Sequence, residues 1–93
     1  MMFEDEQDKE FPVVNITFKD DSTLNHCAIF EDEPHKGMES LTNIISIKRK
    51  FQKLPWYSRF DGWVYFQNKY INGCFHVENV KDYEVVMVTK YNF

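Results

Sequence analysis

Glycine is scarce in this chain, at three residues in 93. That excludes a Gly-rich phosphate cradle, which needs several unhindered backbone N–H groups at close approach. Cysteine occurs twice, at Cys27 and Cys74, with no C-x-x-C pair. A densely stapled secreted mini-protein is therefore excluded, and two free thiols are expected. No window approaches the roughly 20 apolar residues of a membrane span, and no basic segment followed by an apolar run opens the chain. The expected product is soluble and intracellular, with no membrane partner. Basic excess is lacking too: the net charge is −4 and the calculated pI about 5.3. A nucleic-acid-binding domain usually lies above about 9.

Apolar and aromatic residues are plentiful, at 43% and 17% of the chain, well beyond what a disordered segment carries. A chain of this length closes one core and has too little surface for two. The expected organisation is an acidic flexible N-terminus over residues 1–10 and a single domain over 11–93.

From Phe11 the pattern alternates. Val14, Ile16 and Phe18 share one face, and Asn15 and Thr17 share the other, which predicts a half-buried strand. Asp20-Asp21-Ser22 supplies turn chemistry, so the chain is expected to reverse into a second strand over Leu24 to Phe30. Glu31-Asp32-Glu33-Pro34 ends it, because proline cannot donate to a ladder. Between Lys36 and Pro55, the residues Leu41, Ile44, Ile45, Phe51 and Leu54 follow a 3.6-residue period and predict one long amphipathic helix. Ser40 is expected to cap it, and Pro55 to end it. Further on, Asn72-Gly73 is the strongest hairpin signal. It predicts strands Trp63–Ile71 and Cys74–Val77, with Gln67-Asn68-Lys69 as a competing turn. Tyr83 to Tyr91 is apolar on both faces and belongs either mid-sheet or at a subunit contact. The expected fold is α+β: a mainly antiparallel sheet with one amphipathic helix on one face, in the order β-β-α-β-β-β.

Charge is segregated along the chain. Residues 1–35 carry Glu4, Asp5, Glu6, Asp8, Glu10, Asp20, Asp21, Glu31, Asp32 and Glu33 against Lys9 and Lys19, a balance of −8. Residues 36–60 come to +5 and residues 61–93 to −1. Duplex DNA presents about one negative charge per 1.7 Å of axis. A protein surface with spaced carboxylates can therefore occupy the cationic groove of a DNA-binding protein. The groups Asp20-Asp21 and Glu31-Asp32-Glu33 flank the second strand, roughly 30 Å apart at full extension. The plainer reading is that acids at turns keep a small domain soluble.

The alternative interface is the basic stretch. Lys48, Arg49, Lys50, Lys53 and Arg59 lie beside Trp56 and Tyr57, so cations are available for phosphates and rings for bases. The same residues also fit a solvated helix face with rings closing a core. His26, Cys27, Cys74 and His76 are residue types that zinc favours. Neighbours on a strand point to opposite faces, however, and neither a metal nor a Cys-His nucleophile is expected from them. No cofactor and no enzymatic activity are expected.

The segments Leu41-Thr42-Asn43-Ile44 and Ile47-Lys48-Arg49-Lys50-Phe51-Gln52-Lys53-Leu54-Pro55-Trp56-Tyr57, in a short chain with an acidic-then-basic layout, resemble the small anti-restriction early proteins of T-even bacteriophages. The resemblance covers length and texture and carries no residue role. It implies a DNA-mimicking homodimer in the cytoplasm of the infected bacterium. Such a protein inhibits a host DNA-binding protein, such as a modified-cytosine restriction endonuclease or a histone-like nucleoid protein, with no direct nucleic-acid contact.

Overall fold

The structure, a computed structural model, describes residues 10–52 and 61–89. Its elements run β1 (Glu10–Phe18), β2 (Thr23–Phe30), α1 (Ile44–Phe51), β3 (Trp63–Gln67), β4 (Asn72–His76), a 3-10 turn (Val77–Asn79) and β5 (Val80–Thr89). The strands form one antiparallel sheet in the order β4-β3-β2-β1-β5. The fold is α+β, with the expected succession of elements.

The β1–β2 turn forms through the side chains that predict it. The Asp20 carboxylate accepts from both the backbone N–H and the hydroxyl of Ser22, and Asp21 takes the left-handed conformation. The Phe18 N–H donates to the Ser22 carbonyl at 2.8 Å. Further along, β1 and β2 slip register between Val14 and Ile16. There the Asn15 side-chain oxygen accepts from the His26 N–H at 2.9 Å, and His26 adopts a positive φ. A short polar side chain thus replaces a ladder bond that the bulge removes.

Strand β5 is an edge of the sheet, and β1 lies inside it between β2 and β5. Adjacent Val13 and Val14 are both fully buried, so both faces of β1 are covered. Val14, Ile16, Cys27, Ile29, Val64, Phe66 and Phe75 form the core with Ile47 and Phe51 of the helix. Phe75 is the aromatic hub: its ring lies 5.3 Å from Phe18, edge to face, 5.8 Å from Phe66 and 6.0 Å from Phe51. Phe51 also stacks on Tyr83 at 4.4 Å.

The described helix is shorter than its spacing predicts, and its cap is different. Asn43 accepts from the N–H groups of Ile45 and Ser46, whereas Ser40 lies outside the helix. The buried stripe is Ile47 and Phe51, one turn apart, while Ile44 and Ile45 remain exposed. Leu41 packs on the core from the preceding loop. Leu54 and Pro55 lie outside the described residues.

The β3–β4 connection also differs. Asn72-Gly73 sits within β4, paired with Gln67 and Phe66. The turn is built on Asn68, whose side chain accepts from the N–H groups of Tyr70 and Ile71. Its own N–H donates to the Ile71 carbonyl at 2.9 Å. A side chain that satisfies two turn donors outweighs the generic preference of Asn-Gly.

At the far end of β4, His76 closes the corner. Its Nδ1 accepts from the Glu78 N–H, so the proton lies on Nε2, which donates to the Asp61 carbonyl at 3.1 Å. A Cβ on Gly62 would stand 2.5 Å from that Nε2, and Gly62 has a φ of +91°, so glycine is required there.

Candidate functional site

The antiparallel pairing of β1 with β2 returns Glu10 to the sheet end where β2 runs out into Glu31-Asp32-Glu33. Pairing of β2 with β3, with Phe30 opposite Tyr65, brings Asp61 to that end as well. Five exposed carboxylates therefore share one end of the sheet: Glu10, Glu31, Asp32, Glu33 and Asp61. Tyr65 registers the field of three of them. Burial first, then Glu33, Cys74, Asp32 and Asp61, hold its phenol above the ordinary range.

One cation answers this group among the described residues. Lys50 from the helix reaches the Glu31 carboxylate at 3.1 Å and the Glu31 carbonyl at 3.3 Å, with its own side chain largely covered. Lys48 and Arg49 stay exposed in the last helical turn, where cations suit the negative end of the helix dipole. The predicted basic face thus abuts the acidic end and lends one lysine to it.

Asp20 and Asp21 lie at the other end of the sheet, beyond the eight residues of β2, roughly 26 Å away. Lys81 pairs with Asp21 at 3.1 Å. Hydrogen bonds from the Ser22 hydroxyl and N–H hold the Asp20 carboxyl below the usual carboxylate range. The acidic residues accordingly form two separate groups. Glu4, Asp5, Glu6 and Asp8 of the acidic N-terminus, and Lys53, Trp56, Tyr57 and Arg59 of the basic stretch, lie outside the described residues. Asp61 is the member that sequence reasoning passed over. Its place beside Glu33 depends on the β2–β3 register, which no local pattern sets.

The Cys/His set does not converge. Cys27 faces the helix-side core, and burial pushes its thiol up to about 11. Cys74 is exposed opposite Tyr65. Both ring nitrogens of His76 are engaged in the corner. No group of three or more His, Cys, Asp or Glu positioned to hold a metal exists among the described residues. A shallow hollow of about 440 Å³ borders the acidic end, edged by Glu33, His35, Lys36, Tyr65 and Cys74. It is open and of mixed charge. No helix among the described residues is long and apolar enough to cross a membrane. Compared with protein-family models, curated proteins and solved structures, the chain matches none.

Proposed function

We propose that the protein is a non-catalytic inhibitor that competes with DNA for the cationic groove of a host DNA-binding protein. The observation that carries this reading is the convergence of Glu10, Glu31, Asp32, Glu33 and Asp61 on one sheet end, with Lys50 the one cation paired there among the described residues. Carboxylates held on strand ends and short loops form a preset anionic surface. Such a surface speeds encounter with a cationic partner and fixes its orientation. Asp20 and Asp21 form a second anionic group at the far end, partly offset by Lys81. By its likeness to the T-even early proteins, the target class is a modified-cytosine restriction endonuclease or a histone-like nucleoid protein, met in the cytoplasm of an infected bacterium.

The test is competition. Restriction enzyme or nucleoid protein bound to labelled duplex DNA is titrated with the protein, and DNA release is followed by fluorescence anisotropy. Release is expected, weakening as salt rises. Replacing Glu31, Asp32, Glu33 and Asp61 by the matching amides is expected to weaken competition at least about tenfold, roughly 1.4 kcal/mol. The Asp20→Asn, Asp21→Asn pair is expected to weaken it less. Unchanged competition by the four-amide variant overturns the assignment. Tight salt-sensitive binding of the protein itself to duplex DNA would favour the rival interface at Lys48 and Arg49, both exposed on the helix.

A further inference from the structure

Between the helix and β5 runs an open apolar groove of about 480 Å³, walled by Ile44 and Lys48 on one side and by Tyr83, Val85 and Met87 on the other. Met87 and Ile44 are 46% and 39% exposed, although both are large and apolar. Lys48 at the lip and Arg49 beside it are exposed, and neither pairs with a carboxylate among the described residues. The groove therefore suits a segment with an apolar end and an acidic run.

We infer that residues 1–9 of the same chain dock in this groove, with Phe3 seated between Ile44 and Met87 and the neighbouring carboxylates over Lys48 and Arg49. The strand register places the start of β1 beside it. Pro12 stands opposite Met87 and Glu10 opposite Thr89. Facing residues of an antiparallel pair share a face, so β1 begins on the groove's side of the sheet, roughly 7 Å past Met87. A reversal over Gln7-Asp8-Lys9 sends the six residues before it back along β5. Extended, six residues span about 20 Å, against about 13 Å from Tyr83 to Met87. The reach suffices.

Charge and tether select this occupant. Three stretches lie outside the described residues: 1–9, 53–60 and 90–93. The last two carry Lys53, Arg59 and Lys90 and no acidic side chain, whereas the first carries Glu4, Asp5, Glu6 and Asp8 against Lys9. Only the first complements Lys48 and Arg49. Joined to Glu10 by so few residues, it meets the groove at an effective concentration of order millimolar, which a free partner or a second copy reaches only in concentrated solution. Exposed ion pairs are individually weak, so the Phe3 ring supplies most of the hold and the carboxylates fix its placement. Docked, the segment takes Met87 and Ile44 out of water and neutralises the basic helix face, shielding Lys48 and Arg49 from direct contact with DNA. The contact lies within one chain and does not rest on the DNA-competition reading.

The experiment is NMR spectroscopy of the full chain, methyl-labelled at isoleucine, valine and methionine, with no DNA or host protein present. Nuclear Overhauser contacts are expected from the Phe3 ring to the Ile44 and Met87 methyl groups, equally strong in dilute and concentrated samples. Phe3→Ala is expected to shift the Ile44, Val85 and Met87 methyl signals while those of Val14, Ile29 and Val64 in the core stay in place, which shows that the fold persists. Replacing Glu4, Asp5, Glu6 and Asp8 by the matching amides is expected to weaken the Phe3 contacts, as is raising the salt. Absence of the contacts overturns the inference, as do groove methyl signals indifferent to Phe3→Ala or contacts indifferent to the amide replacements. Contacts that cross between labelled and unlabelled copies in a mixed sample overturn it too, and give the groove to a second chain.

Discussion

A thiol packed between a sheet and a helix is a poorer acid than one in water, and Cys27 is fully buried there. Burial raises its pKa from 9.0 to about 11, so the folded protein favours the neutral thiol more strongly than the unfolded chain does. The sign follows directly. This contribution to stability is intact below pH 9 and is lost as the pH climbs through about 11. The urea midpoint is expected to fall between neutral pH and pH 11, and Cys27→Ala is expected to flatten that fall while lowering the neutral-pH midpoint through the cavity it leaves. Residue chemistry was the most legible part of this chain. The Asp20-Asp21-Ser22 turn forms as its side chains dictate. Asn68 was legible as a turn residue, but Asn72-Gly73 carried the stronger generic signal. Only the observed pairing of Asn68 with two turn donors decides between them.

At the scale of elements, the helix shows why a period locates a segment better than its ends. Leu41 and Phe51 both face the core, yet Leu41 does so from a loop. A 3.6-residue spacing does not separate those cases. The cap does, and it gives a clean prediction. Asn43→Ala is expected to cost about 1 kcal/mol, because two N–H groups of the first turn lose their acceptor. Ser40→Ala is expected to change stability by less than about 0.5 kcal/mol. Paired chemical-denaturation curves distinguish the two. Strand β5 was recognised as two-faced, but that signature fits both an interior strand and an edge with apolar cover. The sheet order resolves it, making β5 an edge with β1 inside it. The candidate site was legible to the same degree. The Glu31-Asp32-Glu33 run was plain, whereas its union with Glu10 and Asp61 rests on strand registers that no local pattern specifies.

On the scale of the whole molecule, the sheet is closed by its most distant partners. Glu10 pairs with Thr89 and Val13 with Val86, so β1 acquires its second neighbour only through the strand farthest along the chain. Pairings of that separation must be reached against a large loop-closure cost, and they slow folding toward milliseconds to seconds. Removing residues 80–93 is expected to abolish cooperative unfolding altogether, since Val13, Val14 and Ile16 would line an open edge. Loss of the thermal transition in the truncated chain, followed by circular dichroism, checks this. Retention of a sharp transition would show that β1 to β4 suffice.

The same closure has a consequence during synthesis. The ribosome delivers β1 tens of residues ahead of β5, at about 5–20 residues per second, so the nascent sheet waits for seconds with its future centre uncovered. During that interval Val13, Val14 and Ile16 are available to any chaperone that captures extended apolar segments. Newly made chains are thus most vulnerable to capture or aggregation just before β5 emerges.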